Sequence, residues 1–324
     1  MTVLLTVDNV EKRFGGGRTL FGGRKAAVHA VQGVDVVVEK GETLGIVGES
    51  GCGKSTLARM LVGLDRPTSG SIRIEGIDPS AFSRGNTRTL ARTIQYVFQD
   101  PVSSLNPRKT IRTILETPMI HLLGLDGPKR AARLAELMDA VKLSADFLNR
   151  YPHEFSGGQA QRIGIARALA AEPKLVILDE PVSALDVSVQ AQVLNLLDDL
   201  QERFALTYVF ISHDLSVVES VSDRVAVMYF GRIVECAESR ELFQMPRHPY
   251  TRLLFDAAPV PGKRSVRGEA KPVELPDPYA PPPGCAFAPR CPNVEDRCRS
   301  ERPPLSADQV SASHSAACFF PVGA

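Results

Sequence analysis

Nine residues, Gly48 to Thr56, constrain this chain more than any other stretch: Gly-Glu-Ser-Gly-Cys-Gly-Lys-Ser-Thr. They follow the apolar run Thr43-Leu44-Gly45-Ile46-Val47, which reads as a buried strand, and precede Leu57-Ala58-Arg59-Met60-Leu61, which reads as a helix. That strand-loop-helix context distinguishes a phosphate site from an ordinary Gly-rich turn. Gly48, Gly51 and Gly53 lack a Cβ, so the backbone there can take positive φ and wrap its N–H groups around phosphates at a helix N-terminus. Ser50 belongs to the same loop. Lys54 is placed to reach the β- and γ-phosphates of a nucleotide, the Ser55 hydroxyl to ligate Mg²⁺, and Thr56 to add an α-phosphate contact.

At 324 residues the chain has length for roughly two domains and for a sizeable core. Lys+Arg 38 against Asp+Glu 37 leave a net charge of +1, which argues against a basic nucleic-acid groove. No run approaches the roughly 18 apolar residues of a membrane span, and the N-terminus lacks a signal-peptide layout. A chain that is soluble and cytosolic by itself is therefore expected. In that compartment its Cys residues are expected as thiols or metal ligands before disulfides.

Val3 to Phe14 and Ala27 to Glu39 read as strands separated by a Gly- and Arg-rich loop, Gly15 to Lys25. They are expected to form an antiparallel layer beside the nucleotide, where Phe14 either stacks on an adenine or packs as a core ring. Gly70 to Gly76 alternates like a strand, and Ile94 to Phe98 reads as another, ending at Gln99. From Arg108 to Tyr151 the spacing becomes helical, with Ala131, Leu134, Leu137, Met138 and Val141 on one face. Leu175 to Leu178 and Tyr208 to Ile211 are continuously apolar, as suits parallel strands covered on both faces. Val189, Val193, Leu196, Leu197 and Leu200 mark a helix between them, giving a crossover unit. The first domain is expected to close near Val234. Beyond Pro259 clustered prolines favour an extended linker, and the tail after it carries Cys285, Cys291, Cys298 and Cys318.

Asp179 and Glu180 end an apolar strand. Beside a phosphate loop, Asp179 is the metal-side residue, and Glu180 is the candidate base that orients and polarises an attacking water. Gln99 and His213 follow strands, where a doubly wound sheet presents its ligand-facing loops. Gln99 is expected to sense Mg²⁺ and water, and His213 either to touch the γ-phosphate or to serve structure. Ser156-Gly157-Gly158-Gln159 opens a helix, so a hydroxyl, two unobstructed backbones and a helix N-terminus offer a second anion site. The alternative is a Ser cap on an ordinary helix.

In order, Gly48 to Thr56, Gln99, Phe155 to Gln159, Leu178 to Glu180, Ser183 to Asp186 and His213 resemble the P-loop, Q-loop, signature, Walker B, D-loop and H-loop of ATP-binding cassette proteins. The resemblance implies an α/β fold: a P-loop cassette with a RecA-like core, an antiparallel β subdomain, a helical signature subdomain and a small Cys-rich C-terminal extension. It implies residues 1–258 as cassette, with the helical subdomain at about 100–165, and 259–324 as linker and extension. It also implies a head-to-tail cassette pair in which Ser156 to Gln159 serve the partner's ATP.

Tyr96 to Pro101, Ser104 to Pro107, Tyr151 to Glu154, Pro181 to Gln190, Arg247 to Tyr250 and the Cys-bearing tail narrow the resemblance to ATP-binding subunits of bacterial dipeptide and oligopeptide importers. Pro181-Val182-Ser183 resembles their F-type subunit. Ala160 departs from the Arg usual there, which bears on how the signature helix is oriented. The resemblance implies a second cassette subunit as heterodimer partner, two membrane permease subunits, and indirectly an extracytoplasmic binding protein. It implies a peripheral place on the cytoplasmic face of the inner membrane, with no nucleic acid. ATP and Mg²⁺ are the implied cofactors.

No tight Cys-x2-Cys pair of the zinc type occurs in the tail. Four thiolates on an irregular loop can instead hold an iron-sulfur cluster. The resemblance implies a 4Fe-4S cluster on Cys285, Cys291, Cys298 and Cys318, in a tail whose apolar content promises little core of its own. Competing classes are a non-transport cassette ATPase of DNA repair or translation, a metal or redox sensor built on the tail, and an importer of nickel or another small solute.

Overall fold

The computed structural model describes residues 2–16, 26–78, 87–257, 275–307 and 313–323. Most of the expected loop Gly15 to Lys25, and Pro259, Pro261 and Pro272 of the expected linker, lie outside them. β1 (Val3–Gly15) pairs antiparallel with β2 (Ala27–Glu39). β3 (Thr43–Val47) leads into the P-loop, and β4 (Ser69–Ile74) joins the other edge of β1, so the first sheet runs β2-β1-β4.

The second sheet is built from β5 (Ile94–Val97), β6 (Leu175–Asp179), β7 (Thr207–Ile211), β8 (Arg224–Tyr229) and β9 (Arg232–Glu238), with β3 at its centre. Two short tail strands, β10 (Ser306–Ala307) and β11 (Ser315–Ala316), complete the order β10-β11-β9-β8-β3-β7-β6-β5. β8, β3, β7, β6 and β5 are mutually parallel.

The central strands have no solvent face. Successive side chains alternate across a strand. Leu175, Ile177, Val209, Ile211, Leu44 and Ile46 enter one core, shared with the first sheet and the P-loop helix Lys54–Leu61. Val176, Leu178, Tyr208, Phe210 and Val47 enter another, shared with the helices. In the helical insert Leu134, Leu137, Met138 and Val141 are buried as their spacing requires. Ala131, expected on that face, is exposed in the second turn of Gly127–Ala140, short of the apolar contact.

The chain does not close near Val234. β9 pairs antiparallel with β8 and runs on to Glu238, because its alternate residues Ile233, Glu235 and Ala237 are all enclosed. The tail then returns to the sheet: β11 pairs with β9 through Ser315 opposite Cys236, and Ala316 opposite Glu235. The tail also has more core than its composition promised. Phe287 is 1% exposed and packs edge-on to Tyr229, with centroids 5.5 Å apart, worth about 1.5–3 kcal/mol of burial.

A buried carboxylate fixes this return. Glu235, fully enclosed, accepts from the backbone N–H of Arg247 at 2.6 Å and of His248 at 2.9 Å, and from His314 Nε2 at 2.6 Å. His314 Nδ1 lies 3.4 Å from Glu241 Oε1. Burial alone would lower the His314 pKa, but the two carboxylates outweigh it and raise the value. A raised folded value means the contribution is complete below the ordinary pKa of His and fades as pH climbs through the folded one. Hydrogen exchange at the β11 amides should therefore accelerate as pH rises above that of ordinary His titration, once corrected for intrinsic rates. His314→Ala should remove the pH dependence and cost about 3 kcal/mol; a protected, pH-insensitive β11 in the wild type would contradict this.

Candidate active site

The P-loop backbone meets its constraints at its glycines. Gly53 has φ 108°, and a Cβ there would stand 2.4 Å from the Ala30 carbonyl; at Gly48 it would stand 2.1 Å from that of Met228. Any side chain at either position collides with backbone, so the turn requires glycine. Lys54, 6% exposed, donates from Nζ to the Gly48 carbonyl at 2.6 Å and the Glu49 carbonyl at 3.0 Å. Its ammonium is thereby held inside the loop that it serves.

A cavity of about 560 Å³ opens over this loop, lined by Ser50, Gly51, Gly53, Lys54, Ser55 and Thr56 on one side and by Gln99, Glu180 and His213 on the other. Val28 and His29 of β2 also line it. Phe14 faces Val28 across the β1–β2 ladder but is not among the lining residues; its ring is exposed, with Lys12 Nζ 4.9 Å from its centroid.

At the end of β6, Asp179 and Glu180 have different environments. Asp179 is buried, accepts from Tyr96 OH at 2.5 Å, and takes the Ser55 hydroxyl at 3.3 Å. Burial raises its pKa, and the hydrogen bonds from Tyr96 and Ser55 oppose that rise without cancelling it. The hydroxyl and carboxylate that converge here are hard oxygen donors, which fit Mg²⁺. Glu180, at φ 49°, turns into the cavity. Its two oxygens are held separately, by Gln99 Nε2 at 2.9 Å and by His213 Nδ1 at 3.0 Å. The Gln99 amide is thus directed at Glu180.

The signature residues do not line this cavity. Ser156 caps the helix Gly157–Leu169: its hydroxyl accepts from Gln159 N–H at 3.4 Å, and Gln159 Oε1 accepts from Ser156 N–H at 3.1 Å. This reciprocal box leaves Ser156 and Gly157 exposed. A Cβ on Gly158 would stand 2.5 Å from Val189 Cγ1, so glycine lets the signature helix approach the helix Val187–Phe204 closely. Ala160 is fully buried one turn in and offers no surface to a partner.

Cys285, Cys291, Cys298 and Cys318 line one narrow cavity together with Phe287, Pro303 and Phe319. Burial first, then the neighbouring thiols, push up the values of Cys285 and Cys318, the latter to about 11. Among the described residues, however, no group of three or more His, Cys, Asp or Glu is placed to hold a metal ion. The expected iron-sulfur ligand set is therefore gathered around one cavity without the geometry of an ion site.

Several site residues carry no signal of their own in the sequence. Tyr96 reads as one alternating strand residue, yet its hydroxyl holds Asp179. Arg247 to Tyr250, legible only as a family pattern, surround Glu235 and the P-loop: His248, buried, is pushed down to about 4 and stays neutral, its Nδ1 accepting from Tyr250 N–H. Tyr250 OH in turn accepts from Glu49 N–H at 2.9 Å.

Residues 31–183 match the family model for ABC transporters, and 234–298 match that for the oligopeptide/dipeptide transporter C-terminal region. The chain is 50% identical to the oligopeptide transport ATP-binding protein AppF of Bacillus subtilis, covering 98% of this chain and 97% of that one. It is 47% identical to the di/tripeptide transport ATP-binding protein DppF of Pseudomonas aeruginosa, over 97% and 98%. Among solved structures it is similar to a dimeric post-hydrolysis state of the ATP-binding cassette MJ0796 bound to ADP and Pi. That likeness has a TM-score of 0.65 and 30% identity, over 73% of this chain and 99% of that one.

Removing Glu180's charge without changing its shape should separate binding from turnover. Glu180→Gln is expected to bind ATP and lose hydrolysis by at least about a hundredfold, whereas Lys54→Ala is expected to lose binding itself. Nucleotide titration beside phosphate release distinguishes the two, and loss of binding in Glu180→Gln would assign that residue to structure.

Proposed function

The chain belongs to the ATP-binding cassette ATPases of oligopeptide and dipeptide transporters, and on that premise we propose that it is the F-type motor subunit of a bacterial peptide importer, working against a second, different cassette. The observation that carries this reading is the division of the site: Lys54, Ser55 and Glu180 line one cavity, with Asp179 hydrogen-bonded to Ser55 beside it, while Ser156 to Gln159 form a capped helix end elsewhere, exposed at Ser156 and Gly157. Each cassette then supplies half of two ATP sites. Among the described residues no helix is long and apolar enough to cross a membrane, so translocation falls to permease subunits.

Phosphoryl transfer needs positioned charge more than covalent help. The P-loop amides and Lys54 receive the β- and γ-phosphates, exchanging the carbonyls that now hold the ammonium for phosphate oxygens. Ser55 and Asp179 would hold Mg²⁺, which would supply positive charge against those phosphates. Tyr96 fixes the Asp179 carboxylate. Glu180 orients the attacking water and accepts its proton, while Gln99 and His213 keep both of its oxygens aimed. ATP binding closes the pair; hydrolysis opens it.

In the tail, we assign a 4Fe-4S cluster to Cys285, Cys291, Cys298 and Cys318. One observation supports it: the four thiols share one cavity. Thiolates around a cluster also stand farther apart than those around one ion. The cluster would be a cross-link for the tail.

Ser156→Arg should leave this chain's own nucleotide binding unchanged and impair the partner's site, because a cation replaces an anion-binding helix end. Measuring each site's hydrolysis with the partner's own Lys or Glu disabled reads this, and a loss confined to this chain's site would show that the signature acts in cis. For the tail, anaerobically prepared full-length protein should be brown with about four irons per chain, and Cys291→Ser should bleach it while ATP still binds. Stoichiometric zinc without iron would overturn the cluster.

A further inference from the structure

The P-loop is held from outside by the Cys-rich tail. Arg290 donates from Nη2 to Glu49 Oε1 at 2.7 Å and from Nη1 to Glu49 Oε2 at 2.8 Å, a two-pronged pair between the tail and the second residue of the phosphate loop. The side chains are only 16% and 29% exposed, so this is not a screened surface pair. The guanidinium lies over the faces of Phe287 and Tyr229, 5.6 and 5.9 Å from their centroids. Its backbone closes a short turn: Arg290 N–H donates to the Phe287 carbonyl, and Cys291 N–H to that of Ala288. Where Arg290 stands is therefore set by the turn between Cys285 and Cys291.

Glu49 relays that position inward. Its carboxylate is held by Arg290, its N–H by Tyr250, and its carbonyl receives Lys54 Nζ. A second tail contact lies on the opposite flank, where the Pro278 carbonyl accepts from His29 N–H at 3.0 Å and Pro278 lines the nucleotide cavity. We propose that Arg290 is a positioning residue for ATP binding: through Glu49 it fixes the loop segment from which Lys54 is delivered, making the tail part of the nucleotide site. Nucleotide affinity then depends on the fold of the Cys285–Cys291 turn, although neither of its thiols lines the nucleotide cavity.

The test uses the full chain and measures MgATP affinity by titration, with Lys54→Ala as the non-binding reference. Arg290→Ala is expected to weaken binding about tenfold, the scale of a charge-assisted pair. Glu49→Gln should weaken it similarly, and the double variant no further than either single, because the two act as one unit. Arg290→Lys, which keeps the charge but not the fork, should fall between wild type and Arg290→Ala, and it carries the test if Arg290→Ala does not fold. A merely structural pair would lower the melting temperature without this coupling in affinity. Wild-type affinity in Arg290→Ala, or losses that add in the double variant, would overturn the proposal; loss of ATP binding in the wild type itself would instead remove the P-loop reading.

Discussion

Burial of the central strands on both faces is the constraint from which the rest follows. With Ile46, Ile177 and Ile211 in one core and Val47, Leu178 and Phe210 in the other, β3, β6 and β7 have no position along their length for a charge. Charge is tolerated only where the strands end. Asp179 and Glu180 leave β6 at the level where β3 becomes the phosphate loop and β7 gives way to His213. The chemistry is concentrated at the C-terminal ends of these strands because the interior excludes it elsewhere.

The same exclusion operates on the tail with opposite outcome. Glu235 is a carboxylate inside the sheet, tolerable because two backbone N–H groups and His314 satisfy it. Those donors come from segments far apart in sequence: two from the turn before Pro249, one from the last described segment. A residue that would be a defect alone becomes the point around which the tail is docked, and Phe287, with Ala288, Cys298 and Ala316, adds buried apolar contact.

Much of this was legible in the residues, for a physical reason. β2 spans Ala27–Glu39 as its residues read, because its buried run ends at Val38, just before the charged Glu39 and Lys40. The phosphate loop was legible because only glycine survives at Gly48 and Gly53. Local signals failed where a neighbour decided the outcome. Ala131 fits the helical stripe but lies beyond the reach of the facing core. Val234 looked terminal because Glu235, the next residue, looks like a surface charge. Tyr96 shows nothing in its own segment of the Asp179 it serves, and Glu49 and Arg290 are 241 positions apart. Contacts of that kind have no period and no spacing from which to be read.

The docking of β11 also decides what the molecule shows to its surroundings. β9 is a seven-residue strand with a register shift at Val234, and without a partner on its outer side it would present open N–H and C=O groups to any extended chain. β11 covers that row at Glu235 and Cys236, with Ala317 N–H donating to the Val234 carbonyl, and β10 beyond it is two exposed residues, too short to template another strand. The tail therefore acts as a guard on the sheet margin. A chain shortened before Ser313 would keep every nucleotide ligand yet gain a sticky flank, and self-association would limit it before catalysis did.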